Sequence, residues 1–314
     1  MNSPTANLPS RADIERAYSV ISPFIRQTPV LTVAGRDLDL AIESVTLKLE
    51  TLQRAGSFKI RGAFTNLLTR RIPPAGVVAA SGGNHGAAVA CAAGILGIPA
   101  RIFVPSTAAP LKLERIRQAG AQVESDGAGY AEALARSEVW ARSSGALAIH
   151  AFDQPETIYG QGTLALEISA QVPEVDTVLV AVGGGGLLAG IATWYGGTRR
   201  IIGVEPQRSP TLKRALEAGQ PVAAPTESFA TSVPPRRIGD LVYPIVARLR
   251  DKPILVTDDE IVAAQRTLWD AVRIWPEPEG AAAFAALTSG RYRPARDERV
   301  VVVVSGGNAT MPSA

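Results

Sequence analysis

The fold class that this sequence predicts is an α/β fold with mostly parallel sheets, on three observations. From Ser44 onward, short runs rich in β-branched residues alternate with longer, alanine-rich runs, as in sheets whose parallel strands are connected by helices. Three of the strand-like runs end in loops rich in glycine. The composition, 46% hydrophobic and 19% charged residues, is that of a compact chain with a large core.

Each element of this fold follows from its local pattern. Runs of aliphatic and β-branched residues predict strands at residues 45–49, 77–80, 100–104, 122–125, 147–150, 177–182, 200–204 and 300–304. The runs between and after them predict helices at residues 58–70, 85–96, 110–118, 130–142, 157–171, 187–195, 211–218, 258–273 and 280–289. Residues 1–11 are polar and contain two prolines, so we expect a flexible arm there, and the proline-rich stretch 221–244 predicts a long excursion.

The length of 314 residues favours two domains. The four predicted strands between residues 77 and 150 make a self-contained β/α block. We therefore expect a small domain over residues 76–153, inserted into a large domain over residues 1–75 and 154–314.

Charge and cysteine content narrow the function classes. The net charge is only +3 and no dense basic block occurs, which argues against nucleic acid as a partner. The one cysteine, Cys91, excludes an intrachain disulfide and a cysteine-based zinc site, so we expect a cytoplasmic protein. No apolar run reaches the roughly 18 residues of a membrane span, and we expect no membrane association.

A lysine in an apolar setting is the strongest chemical signal in the chain. The segment Gly56-Ser57-Phe58-Lys59-Ile60-Arg61-Gly62 places Lys59 where a helix is predicted to begin. Burial and the helix macrodipole both lower the pKa of such an amine and increase its uncharged fraction, which a Schiff-base lysine requires. A lysine whose aliphatic stem is buried while its amine reaches solvent is an equally open interpretation.

Glycine-rich loops follow three of the predicted strands. They are Ser81-Gly82-Gly83-Asn84, Gly183-Gly184-Gly185-Gly186 and Ser305-Gly306-Gly307-Asn308. Because the carboxyl ends of parallel strands meet at the ligand crevice, these loops are expected to lie together around a bound group. Four consecutive glycines before a helix allow backbone N–H groups to close around an anion, and phosphate is the favoured occupant over a simple tight turn.

A dinucleotide site is the rival interpretation of the tetraglycine loop. Glu205 stands at the end of the next predicted strand, as the acidic residue of such a site would. The spacing Gly183-x-Gly185-x-x-Leu188 lacks the third glycine of that fingerprint, however, and no Gly-Lys-Ser/Thr sequence occurs. These patterns favour a phosphate-bearing cofactor that also needs a lysine.

The chain resembles the serine/threonine dehydratases (threonine ammonia-lyases) of the fold-type II pyridoxal-phosphate enzymes, relatives of serine racemase and the tryptophan synthase β-subunit. The matching segments occur in the same order over nearly the whole chain: Glu50-x-x-Gln53-x-x-Gly56-Ser57-Phe58-Lys59-Ile60-Arg61-Gly62-Ala63, Ser81-Gly82-Gly83-Asn84-His85-Gly86, Gly160-Gln161-Gly162-Thr163, Gly183-Gly184-Gly185-Gly186-Leu187, Gly203-Val204-Glu205-Pro206, Glu277-Pro278 and Ser305-Gly306-Gly307-Asn308. The resemblance implies two three-layer αβα domains, pyridoxal 5′-phosphate as cofactor and a homodimer.

The same resemblance implies the roles of the site residues. Lys59 forms the Schiff base with the cofactor and acts as the catalytic base. The other implied cofactor contacts are Phe58 beside the ring, Asn84 at the ring hydroxyl, Gly183, Gly184, Gly185, Gly186 and Leu187 at the phosphate, and Ser305 at the pyridine nitrogen. The implied contacts of the substrate carboxylate are Ser81, Gly82, Asn84 and His85. The implied reaction is β-elimination of L-threonine or L-serine to a 2-oxo acid and ammonia.

Departures from the family pattern qualify this interpretation. Gly82 stands where serine racemases have a second serine, which argues against efficient racemisation. Glu205 matches one ligand of a cation site in some relatives, but Thr211 stands where an aspartate is expected, so we expect no metal and prefer a capped strand-end carboxylate. The alternatives left open are a lyase for another hydroxy amino acid such as 3-hydroxyaspartate, a racemase of the same fold, a non-catalytic cofactor-binding protein and a dinucleotide-dependent oxidoreductase.

Overall fold

The fold alternates strands and helices along most of the chain. The computed structural model describes residues 8–106, 108, 110–125, 129–230 and 235–309. The strands in these ranges are β1 Val30–Ala34, β2 Ser44–Leu49, β3 Val77–Ala80, β4 Ala100–Val104, β5 Gln122–Ser125, β6 Leu147–Ala148, β7 Thr177–Ala181, β8 Arg200–Pro206, β9 Ile254–Val256 and β10 Val300–Val304. The helices are α1 Arg11–Ile21, α2 Lys59–Thr69, α3 Asn84–Leu96, α4 Pro110–Gln118, α5 Tyr130–Ser144, α6 Pro155–Gln171, α7 Gly186–Tyr195, α8 Thr211–Ala218, α9 Tyr243–Val246, α10 Asp258–Val272 and α11 Pro278–Thr288.

The strands form two sheets. The larger has the order β1-β2-β10-β7-β8-β9 and the smaller the order β5-β4-β3-β6. Only the β1–β2 pair is antiparallel; the other described pairs are parallel. The predicted α/β fold with mostly parallel sheets is therefore confirmed.

Both faces of the larger sheet are covered, as the five consecutive valines of β10 illustrate. All five are buried; Val300, Val302 and Val304 contact one apolar core and Val301 and Val303 contact another. The first core includes residues of α10 and α11, and the second includes residues of α6 and α7. An uninterrupted apolar run of this kind is typical of a parallel strand between two helical layers.

The smaller sheet has the same layered arrangement. Val77 and Ala79 of β3 belong to a core with residues of α2 and α3, whereas Val78 and Ala80 pack with residues of α5. All four strands of this sheet fall between residues 77 and 148, which is compatible with the inserted domain. We propose the domain boundaries at residues 76 and 153. No helix in the described ranges is long and apolar enough to cross a membrane.

The sequence patterns missed several elements. Strands β1 and β9 and helices α1 and α9 were not predicted. The expected arm is wrong at residue 11, because Ser10 caps α1 with a reciprocal hydrogen-bond pair to Asp13. The rest of that arm through residue 7, and residues 231–234 of the predicted excursion, lie outside the described residues.

Candidate active site

A cavity of about 860 Å³ lies at the carboxyl ends of the central strands. Its wall includes Ser81 after β3, the tetraglycine loop after β7 and Ser305 after β10. The three glycine-rich loops that the sequence predicted to meet therefore line one cavity. Parallel pairing of β7 with β10 brings the loops that follow them to one edge of the larger sheet. The loop after β3 reaches the same cavity from the smaller sheet.

Lys59 lies at the wall of this cavity as the first residue of α2. Its half-buried side chain carries Nζ 2.8 Å from the carbonyl oxygen of Ala151, to which it donates a hydrogen bond. Nζ also lies 5.1 Å from the ring centre of Phe58. Burial lowers the pKa of Lys59 to about 8, and the nearby carboxylates of Glu279 and Glu277 oppose that decrease. The amine thus faces the cavity rather than bulk solvent.

The tetraglycine loop forms a cradle of unused backbone donors. Within the described part of the chain, the N–H groups of residues 183–187 make no hydrogen bond. A side chain on Gly184 would overlap the ring of Phe152, and Gly185 has a φ of 85°, which favours glycine. Helix α7 begins at Gly186 and adds the positive end of its dipole. Free N–H groups at a helix N-terminus fit a phosphate group.

Asn84 and Ser305 also line this cavity. The Asn84 amide donates to a carboxylate oxygen of Glu277, and its carbonyl oxygen accepts from Nδ2 of Asn308 at 2.8 Å. The backbone of Ser305 is fixed by the N–H group of Phe58, which donates to its carbonyl oxygen at 3.1 Å. The structure thus brings these two predicted cofactor contacts to the cavity, while their partners on the ring stay a prediction.

The predicted substrate loop is only partly exposed to the cavity. Ser81, Asn84 and His85 line it, whereas Gly82 is buried outside the lining and Gly83 takes its place. Nε2 of His85 donates to the carbonyl oxygen of Ile149 at 2.9 Å, and burial lowers the pKa of this imidazole to about 3. His85 is therefore neutral, and its ring position is fixed by the backbone that precedes the next loop.

Residues 150–153 are a part of the wall that the sequence patterns missed. His150 lines the cavity, and its Nδ1 accepts the N–H groups of Phe152 and Asp153 at 3.3 and 2.8 Å. Both carboxylate oxygens of Asp153 accept backbone N–H groups, from Asp240 and Leu241, each at 2.8 Å. The segment follows β6 directly, so its position after a parallel strand was the signal that could have indicated it.

Glu205 lies outside the cavity lining. Its two carboxylate oxygens accept the N–H groups of Leu212 and Lys213, both at 2.9 Å, at the start of α8. Burial raises the pKa of this carboxyl group to about 7. This is the capped strand-end carboxylate of the sequence interpretation. Among the described residues, no group of three or more His, Cys, Asp or Glu side chains could hold a metal ion.

Comparisons with known proteins agree with this geometry. The family model described as pyridoxal-phosphate dependent enzyme matches residues 21–306. The catabolic L-threonine dehydratase TdcB of Staphylococcus aureus (strain USA300) is 37% identical over 319 aligned positions, which cover 98% of this chain and 91% of that protein.

Two solved structures are similar over almost their whole length. A threonine deaminase from T.th. superposes with a TM-score of 0.90 at 35% identity, covering 97% of this chain and 100% of that one. Serine racemase of maize superposes with a TM-score of 0.90 at 32% identity, covering 97% and 95%. The chain belongs to the family of pyridoxal-phosphate dependent enzymes, with the fold-type II architecture that the sequence resemblance implied.

Proposed function

We propose that this enzyme is a dehydratase that converts L-threonine and L-serine to a 2-oxo acid and ammonia by β-elimination. The observation that carries the proposal is the amine of Lys59, which faces the cavity with a pKa of about 8. The names of the S. aureus and T.th. relatives, a threonine dehydratase and a threonine deaminase, favour the same reaction class.

Pyridoxal phosphate, when bound, supplies an electron sink for the charge that develops at the substrate α-carbon. The protein's part is to hold the reactants and move the proton. An amine with a pKa of about 8 accepts and returns a proton readily near neutral pH, so Lys59 is suited to remove the α-proton. The N–H groups of residues 183–187 would hold the phosphate, and Ser305 would meet the pyridine nitrogen.

The substrate carboxylate would be bound by the loop after β3. Ser81 is oriented there because its Oγ accepts the N–H group of Gly83 at 3.1 Å, which leaves its hydroxyl proton available to a carboxylate oxygen. Asn84 lies further along the same wall, where α3 begins. A fixed carboxylate orients the Cα–H bond, and this positioning accounts for part of the rate enhancement.

A racemase of the same fold is the second candidate, favoured by the similarity to the maize enzyme. Racemisation needs a proton donor on the face of the α-carbon opposite the lysine. Gly82 offers no side chain for that purpose, and it lies outside the cavity lining. We therefore assign elimination as the main reaction.

The experiment is a measurement of 2-oxo acid release by protein saturated with pyridoxal phosphate. The substrates are L-threonine, L-serine, their D-enantiomers and 3-hydroxyaspartate. We expect 2-oxobutyrate from L-threonine and pyruvate from L-serine, and no turnover by Lys59→Ala with a normal circular dichroism spectrum. Formation of D-serine from L-serine faster than formation of pyruvate would instead establish the racemase. Turnover of 3-hydroxyaspartate alone would mean that the substrate of the elimination is a different hydroxy amino acid.

We also infer a cytoplasmic homodimer from the family resemblance. The presence of a single cysteine, Cys91, agrees with a reducing compartment. Sedimentation equilibrium at micromolar concentration tests the dimer. A mass equal to the 32.9 kDa chain would contradict it.

A further inference from the structure

A segment outside the predicted site, residues 235–242, lies directly against the tetraglycine loop. A Cβ atom at Gly183 would lie 3.4 Å from Pro235, and one at Gly185 would lie 3.1 Å from Ile238. The N–H group of Gly239 donates to the carbonyl oxygen of Gly184 at 3.3 Å. These contacts place the two arginines between Pro235 and Ile238 beside the loop that offers free N–H donors.

The two neighbouring arginines differ in how their charges are used. Arg237 forms an ion pair with Asp240. Arg236 is exposed and lines the cavity, and within the part of the chain that the structure describes its side chain makes no hydrogen bond or ion pair. Its carbonyl oxygen accepts the N–H group of Ala224 at 2.8 Å, which fixes the backbone. Arg236 thus presents an unused guanidinium group from a fixed backbone position.

The other charged side chains of the cavity wall have contacts of their own. Among the cations, Lys59 donates to Ala151, and Arg115 donates to Oδ1 of Asn308 at 3.3 Å. Among the anions, Asp153 accepts two backbone N–H groups. Glu277 accepts from Asn84. Glu279 also lines the cavity and acts electrostatically on Lys59.

We propose that Arg236 binds an oxyanion inside the cavity, next to the tetraglycine loop. Backbone N–H groups and a helix dipole provide only partial charge, whereas a guanidinium group adds a full positive charge and a planar fork that matches two oxygens of a phosphate or carboxylate. Two groups present such oxygens here. One is the cofactor phosphate, and the other is a second carboxylate on the amino-acid substrate, an assignment that rests on the proposed function.

The first arm of the test measures cofactor affinity by absorbance and fluorescence titration of the apoprotein. Pyridoxal phosphate is compared with pyridoxal, which lacks the phosphate, in the parent, Arg236→Gln and Arg236→Lys. If the phosphate is the bound anion, Arg236→Gln weakens pyridoxal phosphate binding about tenfold or more, the size of a lost charge-assisted hydrogen bond. Pyridoxal affinity stays the same, and Arg236→Lys recovers part of the loss.

The second arm measures the kinetics of 3-hydroxyaspartate and L-threonine turnover, as kcat and KM, with saturating cofactor. If a substrate carboxylate is the bound anion, Arg236→Gln raises KM about tenfold when 3-hydroxyaspartate is the substrate and leaves KM unchanged when L-threonine is the substrate. Arg208→Gln is the matched control, since Arg208 is exposed, pairs with Glu227 and lies outside the cavity lining.

The proposal is overturned if Arg236→Gln changes neither the affinity for pyridoxal phosphate relative to pyridoxal nor the KM for 3-hydroxyaspartate relative to L-threonine. Arg236 would then be a solvated side chain. A failure of this proposal can be distinguished from a failure of the proposed function. A protein that releases no 2-oxo acid from any of these amino acids still reports the first arm, because that arm reads cofactor affinity and not turnover.

Discussion

The pKa of the Lys59 amine results from opposing effects of burial and of two carboxylates. Burial is the largest influence and lowers the pKa of the amine, while Glu279 and Glu277 raise it, with a net result of about 8. A lysine in water would be almost fully protonated at neutral pH. The sequence could predict this residue because a rare lysine among apolar residues at a helix start is a local pattern, but it could not predict the two distant carboxylates.

A pH dependence of cofactor capture follows from this pKa. Because only the uncharged amine reacts with an aldehyde, the rate at which apoprotein takes up pyridoxal phosphate should rise with pH and level off above about 8. Stopped-flow absorbance on apoprotein from pH 6 to 10 measures the midpoint. A midpoint near 10.5, the ordinary value of lysine, would show that burial does not act on this amine.

Glu279 offers a second test of what sets the pKa of Lys59. Its carboxylate raises the pKa of Lys59, so Glu279→Gln should move the midpoint of cofactor capture below that of the parent. Asp270→Asn is the control, because Asp270 is exposed on α10 and lies outside the cavity lining. An upward shift in Glu279→Gln, or an equal shift in both variants, would contradict the assigned electrostatics.

At the scale of elements, a closed cluster of buried charges joins β2, α2 and α6. Arg61, two residues after Lys59, donates to the carboxylates of Glu50 and Glu167 at 2.8 Å, and Lys48 donates to Glu167 at 2.6 Å. All four side chains are fully buried. The two positive and two negative charges balance, so each buried carboxylate has a positively charged partner where no water reaches it.

Removal of Arg61 should destabilise the fold strongly. Arg61→Met leaves two buried carboxylates with one lysine, and we expect a loss of about 3–5 kcal/mol in the free energy of unfolding. Urea denaturation of the holoenzyme measures it. Arg299→Met is the control, because Arg299 pairs with Asp176 at the surface and its loss should cost much less stability. Equal losses would mean that the cluster contributes no more than a surface pair.

The tetraglycine loop permits a packing test. A methyl group at Gly184 would overlap the Phe152 ring, so Gly184→Ala should displace the loop after β6 and cost about 1–3 kcal/mol of stability. Titration should also give weaker binding of pyridoxal phosphate. Gly129→Ala is the matched control, since a Cβ there meets nothing within 4 Å. Unchanged stability and cofactor affinity in Gly184→Ala would contradict the close packing.

At the scale of the whole molecule, the cavity wall connects the two sheets. Asn84, which follows β3 of the smaller sheet, bonds to Glu277 and Asn308 of the larger sheet's loops. Arg115 of α4 also bonds to Asn308. A ligand in this cavity therefore contacts elements from both sheets.

Cofactor binding should accordingly stabilise the chain as one unit. Pyridoxal phosphate at about 100 times its Kd should add about 2.7 kcal/mol and shift a single calorimetric transition to higher temperature. Scanning calorimetry of apoprotein and holoenzyme provides the comparison. Two transitions, of which only one responds to the cofactor, would show that the sheets unfold independently.

Sequence patterns could predict the parallel strands and their loops, because buried strands such as β10 consist of uninterrupted valines. They missed β1, an antiparallel edge strand, and β9, which has only three residues. Short edge strands carry little periodicity. Arg236 could not be assigned either, since its place in the wall depends on contacts between residues distant in sequence.

Lys59 is, in the proposed function, the amine that joins this enzyme to its cofactor. The most direct measurement is borohydride reduction of the protein loaded with pyridoxal phosphate, followed by proteolysis and mass spectrometry. We expect a pyridoxyl group on Lys59 and no label in the Lys59→Ala variant. A pyridoxyl group on another lysine, or a loaded protein that gives no label after reduction, would contradict it.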